Sequence, residues 1–290
     1  MLHRRQRAVR ILLLLPALAI MAAVTGYPLV TVVYYSFFDY HYIAGTERFV
    51  GLDNYRDLIQ DRFFRVSVRN TVVFSLTATA SQVALGLAFA LLLNRSFWGR
   101  RIVIPMMIFP MILSTMVVSA IWRAWFHFDY GFLNNLLRSL GIDGVRWLFD
   151  PDIALYSIVL VDLWQWTPMV LLILLAGLQS IPRENYEAAQ IDGAAGYQVL
   201  LFITIPLIKG HLFLAALLRT VDSFKLFDKV YALTGGGPGM STESISTYIY
   251  REGFRFFNVG QASAASILML LIALVLAAVY ALQVLKGQSR

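Results

Sequence analysis

An otherwise apolar stretch between Val161 and Pro168 carries Asp162, Gln165 and Trp166, with Met169 a turn further on. At relative positions 0, 3, 4 and 7 these four residues share one face of a helix. That face sets hydrogen-bonding groups beside an aromatic plane, which suits the hydroxyl edge and apolar face of a polyhydroxy ring. A second apolar stretch carries Arg219, Asp222 and Ser223, again on one face. Ionisable groups in such stretches are costly and point to a solute path or a buried pair. Both readings stay open here. Arg219 and Asp222, three residues apart, also have the spacing to neutralise each other, which would leave Asp162 a structural carboxylate.

Other chemistry is poorly supported. There is no Gly-x-Ser-x-Gly, no His-Glu-x-x-His and no Gly-x-x-x-x-Gly-Lys-[Ser/Thr] phosphate loop. Gly235, Gly236 and Gly237 are followed by Pro238 and no lysine. His3, His41, His127 and His211 are scattered without ligand spacing, and cysteine is absent. The expectation is no metal site, no cofactor bound by this chain and no catalytic residue.

The elements holding these faces must lie in a bilayer. Of 290 residues 59% are hydrophobic and 14% charged, against about half and a quarter in soluble domains. Mean hydropathy is +0.67. Uncharged runs long enough for a ~30 Å hydrocarbon core recur. They predict an all-α protein with six transmembrane helices, near 11–37, 68–93, 102–124, 154–178, 206–232 and 262–285, in a single domain over 1–290. The N-terminal run outlasts a signal-peptide core and reads as a first helix. Pro105 and Pro110, followed by Ser114, Thr115 and Ser119, predict a kinked third helix. The net charge of +7 sits in clusters beside apolar runs, which orients a membrane protein rather than binding nucleic acid. With the N-terminus inside, inner segments hold 11 Lys and Arg over about 55 residues, whereas outer segments spread 11 over nearly twice that length. Arg4, Arg5, Arg7 and Arg10, with Arg95, Arg100 and Arg101, thus predict cytoplasmic termini.

The inner segment 179–205 has its own pattern. Pro182 closes one span, Glu187-Ala188-Ala189-Gln190-Ile191 is a strong helix former, Gly193 supplies a bend, and Pro206 opens the next span. A short helix with a small-residue surface results, of a kind a groove on a soluble partner grips. Glu184, Glu187, Ala188, Ala189, Asp192, Gly193 and Ala194, followed by Tyr197, Ile203 and Pro206, are similar to the EAA loop of binding-protein-dependent ABC importer permeases. Leu200 and Ile205 are mild departures. Gly131-Phe132-Leu133-Asn134, Trp164-Gln165-Trp166 and Leu233-Thr234-Gly235-Gly236-Gly237-Pro238 extend the resemblance, most closely to MalF-type permeases of the carbohydrate branch.

The resemblance implies half of a translocation pathway for a sugar or sugar derivative in the bacterial cytoplasmic (inner) membrane. It implies as partners a second homologous permease, two copies of an ABC ATPase holding ATP and Mg, and a periplasmic or lipid-anchored solute-binding protein. The EAA residues would dock the ATPase. In that family the solute is held midway by the fourth and fifth spans, at positions falling on Asp162, Gln165, Trp166, Arg219, Asp222 and Ser223. A polyol, a glycerol phosphate or an oligosaccharide is an alternative cargo. An ion-coupled secondary transporter is a remoter rival, since no inverted repeat is visible.

Overall fold

The computed structural model describes the backbone of residues 2–288 and the side chains of residues 14–279. His3, Arg4, Arg5, Arg7 and Arg10 lie outside the described side chains. Two compact units divide the chain, Met1–Asp61 with Tyr248–Leu271, and Arg62–Thr247 with Ile272–Arg290.

In the first unit α1 (Leu2–Tyr35) leads into a hairpin of β1 (Phe38–His41) and β2 (Thr46–Phe49), paired antiparallel with Phe38 opposite Phe49. This hairpin falls in a segment expected to be an outer loop. Gly45 turns it with φ of 63°, a left-handed conformation glycine adopts freely. Helix α2 (Asp53–Gln60) follows, and Asn54 donates to the carbonyls of Ser36 and Phe38 at 3.0 and 2.9 Å, tying α2 to the strand. Tyr248 is buried, donates to Asp61 Oδ2 at 2.7 Å and accepts from Gln261 Nε2 at 3.1 Å.

The second unit holds α3 (Arg62–Asn94), α4 (Arg100–Ile112), α5 (Thr115–Trp125), α6 (Phe132–Ser139) and α7 (Ala154–Gln179). Next come α8 (Arg183–Ile191), α9 (Gly196–Gln198), a π-helical turn Val199–Thr204 and α10 (Ile205–Leu207). Helices α11 (Lys209–Phe224) and α12 (Asp228–Leu233) complete its run. After them α13 (Ile245–Tyr250) passes into the first unit, where a second π-helical turn Arg251–Arg255 and the first part of α14 (Val259–Gln288) lie. Among the described residues four helices are long and apolar enough to cross a membrane, and six spans result if each of two bent pairs counts as one.

The sharper bend has a local cause. Helices α4 and α5 meet at 98° at Leu113–Ser114. Pro105 and Pro110 remove two backbone donors from α4, and Gln165 Nε2 donates to the Leu113 carbonyl at 3.1 Å inside the break. A broken helix persists in a bilayer when a neighbour satisfies its freed groups in this way. The expected fifth span 206–232 is built differently. Its lead-in starts at Gly196, the chain bends by 68° after Leu207, and the long helix ends at Phe224.

Helix α7 is the centre of this unit, packed along most of its length against α3. Gly86 of α3 permits the approach, because a Cβ there would lie 2.6 Å from Val170 Cγ1. Along both helices the packing is layered. Phe74, Ala78, Ile158 and Val161 belong to one apolar cluster, and Ala90, Leu93, Val170 and Leu174 to another. Gln82 and Asp162 lie between the clusters on their respective helices, so a polar layer is clamped between two apolar ones.

Candidate functional site

Asp162 and Arg219 are the hub of that layer, and they are 3% and 1% exposed. Asp162 Oδ2 accepts from Arg219 Nη2 at 2.9 Å and from Gln82 Nε2 at 2.8 Å, while Oδ1 accepts from the Lys229 ammonium. Arg219 Nε donates to Gln82 Oε1 at 2.7 Å. One carboxylate thereby ties α3, α7, α11 and α12 together. Asp222, expected as a partner of Arg219, stands 3.6 Å from Nη1 with its side chain 46% exposed. The main counter-charge of Arg219 is therefore Asp162. Burial of two cations with one anion is tolerated because the polar atoms are paired and Asp222 adds charge at the edge.

Beside the hub is a cavity of about 250 Å³. Of the residues singled out from sequence, Asp162, Trp166, Arg219, Asp222 and Ser223 line it. Gln165 and Met169 are absent from the lining. Gln165 is buried with its Nε2 donating to the Leu113 carbonyl and its Oε1 without a hydrogen-bond partner among the described residues, and Met169 is half-buried. Ser223 Oγ is paired with Ser75 Oγ at 2.7 Å. The indole of Trp166 is overlain by the Arg219 guanidinium at 5.2 Å and lies 6.0 Å from the Lys229 ammonium, distances at which a cation is attracted to the ring face. Lys225, Phe227 and Asp228 complete the rim.

Sequence reasoning missed Gln82 and Lys229. A signal for the first exists: Ser67, Thr71, Ser75, Thr79 and Gln82 recur every three to four residues along α3, and all five are buried. Ser67 and Thr71 bond locally, and Thr71 also accepts from the Ile245 amide at 3.0 Å.

At the other end of α7, α8 presents Glu184, Glu187, Ala188, Asp192 and Gly193 as exposed, with Ala194 half-buried. Ala189 is buried against the unit. Gly193 closes the helix with φ of 69°, and the Ala194 amide donates back to the Ala189 carbonyl at 3.0 Å, a left-handed cap that glycine favours. Ile191 and Tyr197 are 87% and 65% exposed beside it.

A helical chain whose central helix carries a paired polar layer, and which displays a short exposed helix at one end, narrows the family. The model of the binding-protein-dependent transport system inner membrane component family matches residues 82–286. The chain belongs to this family of ABC importer permeases. The trehalose/maltose transport system permease protein MalF of Thermococcus litoralis is 41% identical over 80% of this chain and 78% of its own length. The sulfoquinovosyl glycerol transport system permease protein SmoG of Agrobacterium fabrum is 34% identical over 94% of this chain and 89% of its own. The permease fold also matches a crystal structure of a bacterial ABC transporter that imports the acidic polysaccharide alginate. The TM-score is 0.85 at 23% identity, covering 97% of this chain and 96% of that one. As a permease, the chain is a membrane component and not itself the ATPase. The polar layer sits within the residues that the family model spans.

Proposed function

We propose that this permease forms half of the translocation pathway for a neutral sugar or oligosaccharide handed over by an external binding protein, with the central cavity as the solute's station. One observation carries the reading: the half-buried indole of Trp166 lines a cavity whose buried charges are already paired with one another. Hydroxyl groups then meet Asp222, Asp228 and Lys225 at the exposed rim, and the ring meets Trp166. Relatives named for trehalose, maltose and sulfoquinovosyl glycerol support the sugar class. A guanidinium grips a sulfonate through two parallel hydrogen bonds, but Arg219 already donates to Gln82 and Asp162. That occupancy favours a neutral cargo.

The remaining parts follow the family. A second homologous permease completes the pore, and the exposed face of α8 docks one of two ABC ATPase copies. Both termini are cytoplasmic in a bacterial inner membrane, and residues 1–290 work as one permease domain. The test is reconstitution with the binding protein, second permease and ATPase, scoring ATPase stimulation by maltose, trehalose and sulfoquinovosyl glycerol. Trp166→Ala is expected to lose transport of the stimulating sugar while the complex still assembles. Full transport by this variant, stimulation by none of the sugars, or stimulation by the anionic sulfoquinovosyl glycerol alone would overturn the assignment.

A further inference from the structure

A second cavity, of about 680 Å³, lies near the end of α7 opposite α8. Its walls include Arg123, Phe128, Asp129, Phe149, Tyr231 and the glycine-rich turn after α12. The two cavities share α12. Phe227, Asp228 and Lys229 border the central one, and Tyr231, Ala232 and Leu233 border the second. Phe227 and Tyr231 are stacked, with centroids 5.4 Å apart and planes 20° from parallel. An aromatic pair therefore runs along α12 with one ring at each cavity.

We infer that this outer cavity is a saccharide-binding entry subsite, from which a pyranose ring passes along the α12 aromatic pair into the central cavity. The inference rests on the sugar reading above. Its size falls in the range of small-molecule sites and exceeds the central cavity, which suits a disaccharide or longer chain arriving before one ring advances. Phe149 is 76% exposed, so its ring can meet the C–H face of a sugar, and Tyr231, 41% exposed and stacked on Phe227, continues the aromatic wall. Polar groups stand beside them. Arg123 Nη1 donates to the Ala232 carbonyl at 3.3 Å, and Asp129 is exposed at the wall.

The walls are preformed. Asn134 is fully buried; its amide donates to the Phe128 and Val145 carbonyls at 3.1 and 3.0 Å, and its Oδ1 accepts from Trp147 Nε1 at 3.0 Å. That one side chain fixes both the Phe128 and Phe149 segments. Opposite, Gly235 and Gly236 hold φ of 63° and 96°, and Thr242 Oγ1 donates to the Gly237 carbonyl at 2.8 Å. A Cβ on Gly236 would run into the Glu243 carboxylate. The Lys229–Asp162 ion pair anchors the shared α12 to α7.

The experiment uses the reconstituted importer with maltose and trehalose as probes, measuring sugar transported per ATP hydrolysed. Phe149→Leu and Tyr231→Leu keep apolar volume but remove the ring, and Tyr231→Phe keeps the ring. Each Leu variant is expected to lower sugar per ATP about tenfold, the scale of one lost aromatic contact, with Tyr231→Phe like the parent. The loaded binding protein should still dock and stimulate hydrolysis in all three. An unchanged ratio in both Leu variants overturns the inference. So does loss of binding-protein docking, which would make the cavity a protein interface. Failure of the central-site reading is separate: it appears as normal transport in Trp166→Ala, whatever the Leu variants do.

Discussion

The buried carboxylate of Asp162 is asymmetric in what it holds and what holds it. Its loss leaves Arg219 and Lys229 together without their shared anion, whereas the loss of Lys229 leaves Asp162 paired with Arg219 and Gln82. Removing one partner of a buried pair costs about 3–5 kcal/mol when a charge is stranded. Asp162→Asn is therefore expected to lower the thermal midpoint of the purified permease far more than Lys229→Met. The double variant should recover part of the loss, because one of the two stranded cations is gone. Equal destabilisation by the two single variants would contradict the wiring. The same geometry makes Asp162 and Arg219 poor reporters of solute contact, because their replacement disturbs four helices. Trp166, half-buried and outside the hydrogen-bonded ring of Asp162, Gln82, Arg219 and Lys229, is the cleaner probe.

At the scale of elements, the long helices were legible because hydropathy and length alone define a span, and α3 and α7 lie close to the expected 68–93 and 154–178. The short helix at 183–191 was legible from its helix-forming run and its glycine. What was not legible depends on contacts across helices. Nothing local to Lys229 announces that it turns to Asp162 rather than to water. The prolines of α4 announce a bend, yet not that it reaches 98° or that Gln165 closes it. That clasp makes a prediction. Gln165→Leu leaves the Leu113 carbonyl without its donor, at a cost of about 1–3 kcal/mol, and is expected to speed amide exchange at 113–116 while α7 exchange stays slow. Equal exchange in variant and parent would show that the break is held by other means. At α8, no atom lies within 4 Å of a Cβ placed on Gly193, so the folded chain itself has room for a side chain. Only the left-handed φ resists, and Asn tolerates it better than Val. If a partner ATPase closes on this turn, Gly193→Asn is expected to keep the thermal midpoint of the parent yet lose ATPase copurification. Retained copurification and transport would place the partner elsewhere.

For the molecule as a whole, orientation decides whether the proposals are compatible. Helix α7 is long and apolar enough to cross a membrane. The second cavity lies near its start and α8 follows its end, so the proposals require these two features to fall on opposite faces of the membrane. A cytosolic ATPase reaches α8, and an external binding protein reaches the outer cavity, in one orientation only. Arg95, Arg100 and Arg101 flank the α3–α4 turn, and charge clusters of this kind favour the cytoplasmic side. The chain has no cysteine, so single introduced thiols report without background. Ser96, in the α3–α4 turn, and Ser139, at the end of α6, are both exposed, and cysteine is a conservative replacement at each. An impermeant maleimide applied to intact spheroplasts is expected to label Ser139→Cys at once and Ser96→Cys only after permeabilisation. The reverse pattern would turn α8 outward, remove any route to a cytosolic ATPase and place the aromatic cavity on the wrong side for solute arriving from outside. Labelling of both positions in intact spheroplasts would instead show that the α3–α4 turn is not shielded by the membrane, and the six-span arrangement would fail with it.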